Sequence, residues 1–164
     1  MKKIYFAFFL LALGLNVQAQ EATLKSDQDK QARAMELMSE KVDIKVDENL
    51  FMAVTPNTYV SESPKAVIMA MKVPESYAEA KKKINDSQDN KFKVKDRGEK
   101  TINGVNVLFM EGTSEAEGVT LNNTIYCVAI DENTCLMFIG MVEVGADAKY
   151  TEAITEAANS VIKK

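Results

Sequence analysis

The sequence contains no histidine, and this absence removes several kinds of chemistry at once. Serine–histidine–aspartate and cysteine–histidine catalysis both need an imidazole as the general base. Histidine-ligated zinc and copper sites are excluded for the same reason. An enzyme built from this chain would have to use carboxylates, a lysine or a tyrosine. We therefore expect a protein without catalytic activity.

Glycine and proline are also scarce, with 7 and 3 residues in a chain of 164. The chain has no evident low-complexity segment or internal repeat, which indicates an ordinary globular protein. Its charge is mildly acidic, because 24 aspartates and glutamates outnumber 20 lysines and arginines. A nucleic-acid partner is disfavoured, since binding to phosphates needs a basic patch.

Residues 1–19 predict a secretory signal peptide. Lys2 and Lys3 precede an apolar run from Ile4 to Leu15, and small residues stand at the −3 and −1 positions of a cut after Ala19. The run is shorter than the ~20 apolar residues that span a bilayer, which disfavours a retained membrane anchor. No cysteine lies near the cut for lipid attachment. We expect an exported protein, periplasmic or secreted, whose mature chain has no transmembrane segment.

The stretch from Lys100 to Val144 predicts the centre of the fold. It consists of three long apolar runs that are separated by polar breaks. Asn103-Gly104 is a strong hairpin signal, because a type I′ turn needs positive φ at both central residues. Asp131 to Thr134 form another break, between runs rich in β-branched and large apolar residues. The pattern predicts an antiparallel meander.

The flanking segments add further strands and two helices. Ser76 and Glu79 form a capping box at the start of the first helix. Asp147 is the expected N-cap of the second helix. That helix should bury the stripe formed by Tyr150, Ile154, Ala157 and Val161. Strands are predicted over 42–46, 50–54, 66–73 and 91–95.

These elements predict an α+β fold, in which an antiparallel sheet of six or seven strands is flanked by two helices. Residues 41–164 form this single domain. Residues 20–40 are polar and helix-prone, and they predict an N-terminal helical arm. The arm either docks on the domain or extends from it.

Several features, taken in order along the chain, resemble a known fold family. They are Val54-Thr55-Pro56, the helix from Ser76, Ile102-Asn103-Gly104, Thr124 to Ala129 with Tyr126, and the helix from Tyr150 through Ile154 to Ser160-Val161. Their order resembles the PsbP-like fold, which is named after an extrinsic subunit of photosystem II and is shared by small exported bacterial proteins. The resemblance implies an accessory or binding protein. It implies no functional residue, because the family has no shared active site.

Cys127 and Cys135 flank the second polar break. If Asp131 to Thr134 is the whole loop, Cys127 faces Phe138 and the two cysteines point to opposite faces of the sheet. A shift of one residue puts both on one face, at a diagonal distance of about 7–8 Å. A disulfide needs Cα atoms within ~7 Å, although an oxidising compartment favours one. The geometry favours two buried free thiols over a disulfide, and the absence of a neighbouring base argues against a catalytic thiol.

Two sets of residues could be interpreted as metal ligands, and each has a simpler explanation. One set has the carboxylates expected of a calcium site but not the EF-hand spacing: Glu111, Glu115, Glu117 and Asp131-Glu132-Asn133. Within it, Glu115 to Gly118 fits an ordinary solvated loop. The other could bind Cu(I) through thioethers, but it lies in predicted core strands where methionine is an adaptable filler: Met69, Met71, Met137 and Met141. We therefore predict no metal site.

The sequence favours an exported, non-enzymatic protein that binds an envelope protein or a small ligand, without a cofactor. Tyr126 and Tyr150 are expected to be core aromatics with the hydroxyl at the edge, so a groove beside either is the first place to look for a ligand. Two alternatives remain open. One is a hydrolase with two carboxylates facing each other across a cleft at roughly 5 to 10 Å. The other is a carrier of calcium or copper.

Overall fold

The fold is a seven-stranded antiparallel sheet with three helices, in a computed structural model that describes residues 24–87 and 92–163. The predicted α+β class is therefore confirmed, and the predicted signal peptide lies outside the described residues. The helices are α1 (Leu24–Ser39), α2 (Tyr77–Asp86) and α3 (Ala148–Val161). The strands are β1 (Met52–Thr55), β2 (Thr58–Glu62), β3 (Lys65–Val73), β4 (Phe92–Ile102), β5 (Val105–Ala116), β6 (Val119–Ala129) and β7 (Cys135–Glu143). Their order across the sheet is β1-β2-β3-β7-β6-β5-β4.

Tight turns connect the three longest strands. Asn103-Gly104 has φ values of 51° and 75° and joins β4 to β5, which confirms the predicted hairpin. Glu117-Gly118 joins β5 to β6 in the same way, with φ values of 50° and 80°. Sequence analysis had treated this second turn as part of a solvated acidic loop. Residues 130–134 connect β6 to β7.

The two faces of the sheet carry different helices. On one of them, the α3 face, α3 packs against β7 and β3. Its buried core includes Ile68, Val107 and Phe138. On the opposite face, the α2 face, α2 packs against β4, β5 and β6 over a smaller core. Both faces of the central strands are therefore covered for part of their length.

The last helix follows its predicted pattern. Its buried side chains include the whole expected stripe, Tyr150, Ile154, Ala157 and Val161. The Asp147 side chain accepts a hydrogen bond from the Lys149 N–H, which confirms the predicted N-cap. The apolar stripe thus fixes which side of α3 meets the sheet.

The predicted strand over 42–46 is wrong. Val42 and Ile44 are buried in the core of the α3 face, so the alternation of inward and outward side chains was correct. The segment nevertheless pairs with none of the strands in the described part of the chain. Its backbone is satisfied by side chains instead, since the Val42 N–H donates to Asn57 Oδ1 at 2.8 Å and the Lys45 N–H donates to Ser160 Oγ at 3.0 Å. Alternation of apolar and polar residues indicates that one side of a segment is buried. It does not by itself show that a partner strand is present.

The remaining strands agree with the sequence to different degrees. The interior position predicted for residues 66–73 is confirmed, because β3 lies between β2 and β7. The strand predicted near 50–54 is β1, at one edge of the sheet. The strand predicted over 91–95 is the start of β4, which continues through Gly98 and has a register shift at Lys95. A bulge in a long edge strand interrupts its free side and discourages pairing with another chain.

The predicted capping box at the start of α2 is present. Ser76 Oγ accepts from the Glu79 N–H, and Glu79 Oε2 accepts from the Ser76 N–H at 2.9 Å. Two side chains of α2 contact Glu99 of β4. The Tyr77 hydroxyl donates to Glu99 Oε1 at 2.9 Å, and Lys81 forms an ion pair with the same carboxylate. These contacts hold α2 over the core of the α2 face.

We expect Glu79→Gln to make the stability of the protein less sensitive to acid. The hydrogen bonds from the Ser76 backbone and hydroxyl hold the pKa of Glu79 below its ordinary 4.5. A carboxylate with a lowered pKa stabilises the fold above about pH 4.5, and this contribution is lost as the pH falls through the lowered pKa. Urea midpoints at pH 7 and pH 3 should therefore differ less for the variant than for the wild type. Glu152→Gln, an exposed change on α3, is the control, and equal acid sensitivity in all three proteins would contradict the prediction.

Candidate ligand-binding groove

A groove lies between α3 and the part of the sheet that this helix leaves uncovered. It has a volume of about 310 Å³, and we call it the α3 groove. Sequence analysis pointed to Tyr126 as a residue beside which a groove should be sought, and Tyr126 lines it. The polar residues that line it are Lys95, Glu111, Asn122, Asn123, Thr124, Tyr126, Thr151 and Thr155.

The register of three neighbouring strands builds the floor of the α3 groove. Because side chains alternate between the faces of a sheet, residues in register on β5, β6 and β7 lie in rows on the same face. Three such rows follow one another: Phe109, Tyr126 and Phe138; Glu111, Thr124 and Gly140; Thr113, Asn122 and Val142. Polar side chains of β5 and β6 thus lie next to the apolar contact between β7 and α3.

One face of α3 forms the wall of the groove. Thr151, Ile154, Thr155 and Ala158 recur at helical spacing and all line it. Ile154 packs over Gly140, where a Cβ atom would overlap the Cγ2 methyl of Ile154. A glycine at this point therefore lets the helix approach the sheet closely, and the groove opens beside that contact.

A cluster of three polar groups lies on the same face at the end of the groove nearest β4. The Lys100 ammonium donates to Glu111 Oε1 and to the Tyr126 hydroxyl, both at 3.2 Å. The same ammonium lies 4.5 Å from the ring centre of Phe109 and 4.6 Å from that of Tyr126. The two aromatic rings and the carboxylate therefore hold this lysine at one place on the sheet.

The surroundings of Lys100 keep it protonated. Burial lowers the pKa of Lys100, but hydrogen bonds and charge interactions with Tyr126 and Glu111 outweigh burial, so the pKa stands above its ordinary value. The lysine is therefore a fixed cation that is already paired with Glu111. It can donate a hydrogen bond to a ligand, and it is a poor proton acceptor at neutral pH.

Sequence reasoning had not connected Lys100, Thr151 or Thr155 with a site. α3 contained a weak indication of a site. Thr151 and Thr155 lie four residues apart on one face of this helix, and β-branched residues are disfavoured in helices. Lys100 gave no such signal, because an isolated lysine in an edge strand is ordinary. Its role depends on Glu111 and Tyr126, which lie on two other strands.

Tyr150 lies at a different depression from Tyr126. Its ring meets Phe51 edge-on, with 5.9 Å between the ring centres. The depression beside it has a volume of about 320 Å³, is more open than the α3 groove, and is lined largely by the 48–52 segment and β2. Tyr150 is 9% exposed, so the depression offers little of this side chain to a ligand.

The acidic residues considered for calcium do not converge. Glu115 and Glu117 lie at one end of β6, and Asp131 and Glu132 follow its other end. At ~3.3 Å per residue, an eleven-residue strand separates these ends by more than 30 Å. Glu111 lies between them and pairs with Lys100. Within residues 24–87 and 92–163, no group of three or more cysteine, aspartate or glutamate side chains is placed to hold a metal ion.

The four methionines considered as copper ligands lie on the α2 face together with both cysteines. Met71 pairs with Met137 across β3 and β7, and Met137 pairs with Cys127 on β6. Cys135 pairs with Ala129, so the register puts both cysteines on one face, as in the second of the two registers considered. Both cysteines are free and buried, and burial raises the pKa of each thiol. That the two cysteines stay free thiols and do not form a disulfide remains a prediction.

Of the helices in the described part of the chain, none has the length and apolar character to cross a bilayer. α1 lies beside β3, with Ala34 and Leu37 half-buried and with an ion pair between Glu40 and Lys72 just beyond its end. Of the predicted N-terminal arm, Leu24–Ser39 is therefore a helix that lies against the sheet at β3.

No protein-family model matches this sequence, and no curated protein is significantly similar to it. Solved structures do show a likeness. LpqN of Mycobacterium tuberculosis, described as involved in cell envelope biogenesis, aligns with 73% of this chain and 78% of its own, at 15% identity and a TM-score of 0.49. PA94 of Pseudomonas aeruginosa, a protein of unknown function and putative regulator, aligns with 75% of this chain and 85% of its own, at 12% identity and a TM-score of 0.46.

A third structure, from Bacteroides thetaiotaomicron VPI-5482, aligns with 65% of this chain and 40% of its own, at 10% identity and a TM-score of 0.41. At these values the likenesses concern the general fold, and we base no functional argument on them. The resemblance to the PsbP-like family stays a prediction.

Proposed function

We propose that this chain is an exported, non-enzymatic binding protein of the bacterial cell envelope, and that it holds a small, neutral ligand rich in hydroxyl and amide groups, such as a saccharide, in the α3 groove. The observation that carries the proposal is the polar lining of this groove on an otherwise apolar contact between helix and sheet. Export is supported by the signal-peptide pattern of residues 1–19.

The side chains of the groove favour a neutral ligand. The hydroxyls of Thr124 and Thr151 and the amide of Asn122 can each both donate and accept hydrogen bonds, as the hydroxyl and amide groups of a saccharide do. The Thr155 hydroxyl donates to the Thr151 carbonyl at 2.8 Å and can still accept. Lys100, the cation of the cluster, is already neutralised by Glu111, so an anionic ligand would have to compete with that carboxylate. The other lysine at the groove, Lys95, is exposed on the edge strand β4, where water weakens its interaction with a ligand's charge. Pockets that bind small ligands combine an apolar surface with a few placed polar groups, and Ile154, Ala158 and Val142 supply the apolar part.

The size of the groove also fits a small ligand. Its volume of about 310 Å³ lies at the lower end of the range of roughly 300–1,000 Å³ for small-molecule sites. A folded polypeptide segment or a long acyl chain needs a longer surface. We therefore favour a ligand of one or two sugar rings over a protein partner at this site.

The groove offers little support for the alternative of a carboxylate-dependent hydrolase. Among its described lining residues Glu111 is the single carboxylate, and it is paired with Lys100. Acid and base hydrolysis of a glycoside needs two carboxyl groups that face each other at roughly 5 to 10 Å. Binding without turnover is the function that these residues suit better.

We expect Thr124→Val to weaken saccharide binding by at least about tenfold, because valine keeps the shape of threonine but leaves a polar group of the bound ligand unpaired. The protein is purified after export with its own signal, and native and denaturing mass spectrometry identify any ligand that it retains. Titration calorimetry with N-acetylglucosamine and its disaccharide then compares the wild type with the variant. Thr101→Val, an exposed change on β4 outside the groove, is the control and should bind as the wild type does.

Two results would contradict the proposal. One is a retained ligand that is anionic or purely apolar. The other is saccharide binding that Thr124→Val leaves unchanged.

A further inference from the structure

Two cysteines and two methionines lie together on the α2 face, away from the α3 groove. Cys127 of β6 pairs with Met137 of β7, which pairs with Met71 of β3, so one row of the sheet carries three sulfur atoms in succession. Cys135 lies two residues before Met137 on the same strand and therefore on the same face. We call these four residues the sulfur cluster.

All four side chains belong to one small core or pack against it. Cys127 and Cys135 are buried members of it, and Met71 and Met137 pack against them. Side chains directly opposite each other on neighbouring strands have Cβ atoms about 4.5–5.5 Å apart, so the long methionine side chains can bring their sulfur atoms close to the thiols.

The surroundings of the sulfur cluster differ from one end to the other. α2 covers the cysteines with Ala80, and with Tyr77 and Ile84 at its margin. Met71 and Met137 are only half-buried, so they form the side of the cluster that solvent can reach. A cation could therefore reach the thiols past flexible thioethers, without the displacement of α2.

Thiolate and thioether sulfur atoms are soft ligands, and a set that combines two of each favours Cu(I). The absence of histidine removes the usual ligand of Cu(II) and Zn(II) but does not affect a sulfur-only site. Binding needs no electron transfer. Each thiol releases its proton to water, two thiolate–copper bonds form, and the copper remains Cu(I) while the methionines donate as neutral ligands.

We infer that Cys127, Cys135, Met71 and Met137 form a binding site for one Cu(I) ion. In the sequence, only methionines had suggested a Cu(I) site. They were Met69, Met71, Met137 and Met141, and all four were assigned to core packing. The strand order changes that set, because it brings both cysteines to Met71 and Met137 and leaves Met69 and Met141 farther along the same two strands.

The inference is tested by anaerobic titration of the full mature protein with Cu(I) in competition with bicinchoninate, a coloured Cu(I) chelator. The wild type should take up one Cu(I) per chain. The double variant C127A/C135A should take up none at the same chelator concentration, and M71L/M137L should bind at least tenfold more weakly. The double variant M69L/M141L is the matched control, because it makes the same substitution on the same face of the same strands, and it should bind as the wild type does.

Cu(I) uptake that survives in C127A/C135A, or that M69L/M141L loses as severely as M71L/M137L, would overturn the inference. Circular dichroism establishes that each variant is folded before it is compared. A second measurement needs no variant: X-ray absorption at the copper edge of the loaded wild type should show sulfur ligands only. Nitrogen or oxygen ligands, or a folded wild type that captures no Cu(I), would also overturn it.

Discussion

Ile154→Ala should lower the free energy of unfolding by about 3 to 4 kcal/mol, since truncation of a buried isoleucine removes its transfer free energy and leaves a cavity. Ile154 is 6% exposed and lies in the core of the α3 face. Its Cγ2 methyl occupies the space directly above Gly140. Urea denaturation at pH 7 measures the effect through the midpoint and the slope.

The contact can be isolated by a double-mutant cycle with Gly140→Ala. On its own, the added methyl group overlaps Ile154 and should cost about 1 to 3 kcal/mol through overpacking. In the G140A/I154A double variant the new methyl group enters the space that the isoleucine vacated. The double variant should therefore lose clearly less stability than the sum of the two single variants.

Gly98→Ala is the matched control for the glycine change. A Cβ atom there would lie 3.3 Å from Cε1 of Phe109, at the edge strand β4, so its effect should be smaller and should add to that of Ile154→Ala. Strict additivity of Gly140→Ala and Ile154→Ala would mean that α3 does not rest on the sheet at this point.

The second large effect is expected at Asn57, where Asn57→Ala should cost about 2 to 3 kcal/mol because it leaves two backbone groups without partners. Asn57 is 7% exposed. Its Oδ1 accepts from the Val42 N–H at 2.8 Å, and its Nδ2 donates to the Glu40 carbonyl at 2.7 Å. These bonds hold the irregular segment that follows α1 against the core. We therefore also expect faster hydrogen exchange at residues 41–46.

Two further variants make this prediction specific. Asn57→Asp keeps the acceptor for Val42 but places a buried carboxylate oxygen against the Glu40 carbonyl, so its loss of stability at pH 7 should be at least as large as that of alanine. Asn49→Ala removes an exposed asparagine whose side chain bonds only locally to Asp47, and it should stay within about 0.5 kcal/mol of the wild type. A loss at Asn57→Ala no greater than at Asn49→Ala would contradict the role assigned to Asn57.

Features of the fold that depend on a few adjacent residues were predictable. Asn103-Gly104 makes its turn because two residues in succession can adopt positive φ, and this is a property of the dipeptide itself. Ser76 with Glu79 caps α2 because both partners belong to the same helical turn. The stripe on α3 follows from helical periodicity alone.

Predictions that depended on a partner elsewhere in the chain were less successful. The alternation in Val42 and Ile44 showed correctly that one side of the segment is buried, but not that a side chain, Asn57, would replace the partner strand. Whether Cys127 and Cys135 share a face of the sheet depended on the register of the β6–β7 hairpin. A shift of one residue turns every side chain of a strand to the other face. Lys100 became part of a candidate site only through Glu111 and Tyr126 on two other strands.

The sequence by itself determined the class of fold, the hairpin at Asn103-Gly104, the capping box of α2, the buried side of α3, and the exclusion of histidine chemistry. Each of these follows from composition or from interactions within a few residues. Only the tertiary structure decided that β3 lies next to β7, and that α3 crosses the sheet over Gly140. The α3 groove and the sulfur cluster both depend on this strand order, because side chains far apart in sequence share a surface only when their strands are neighbours in the same register.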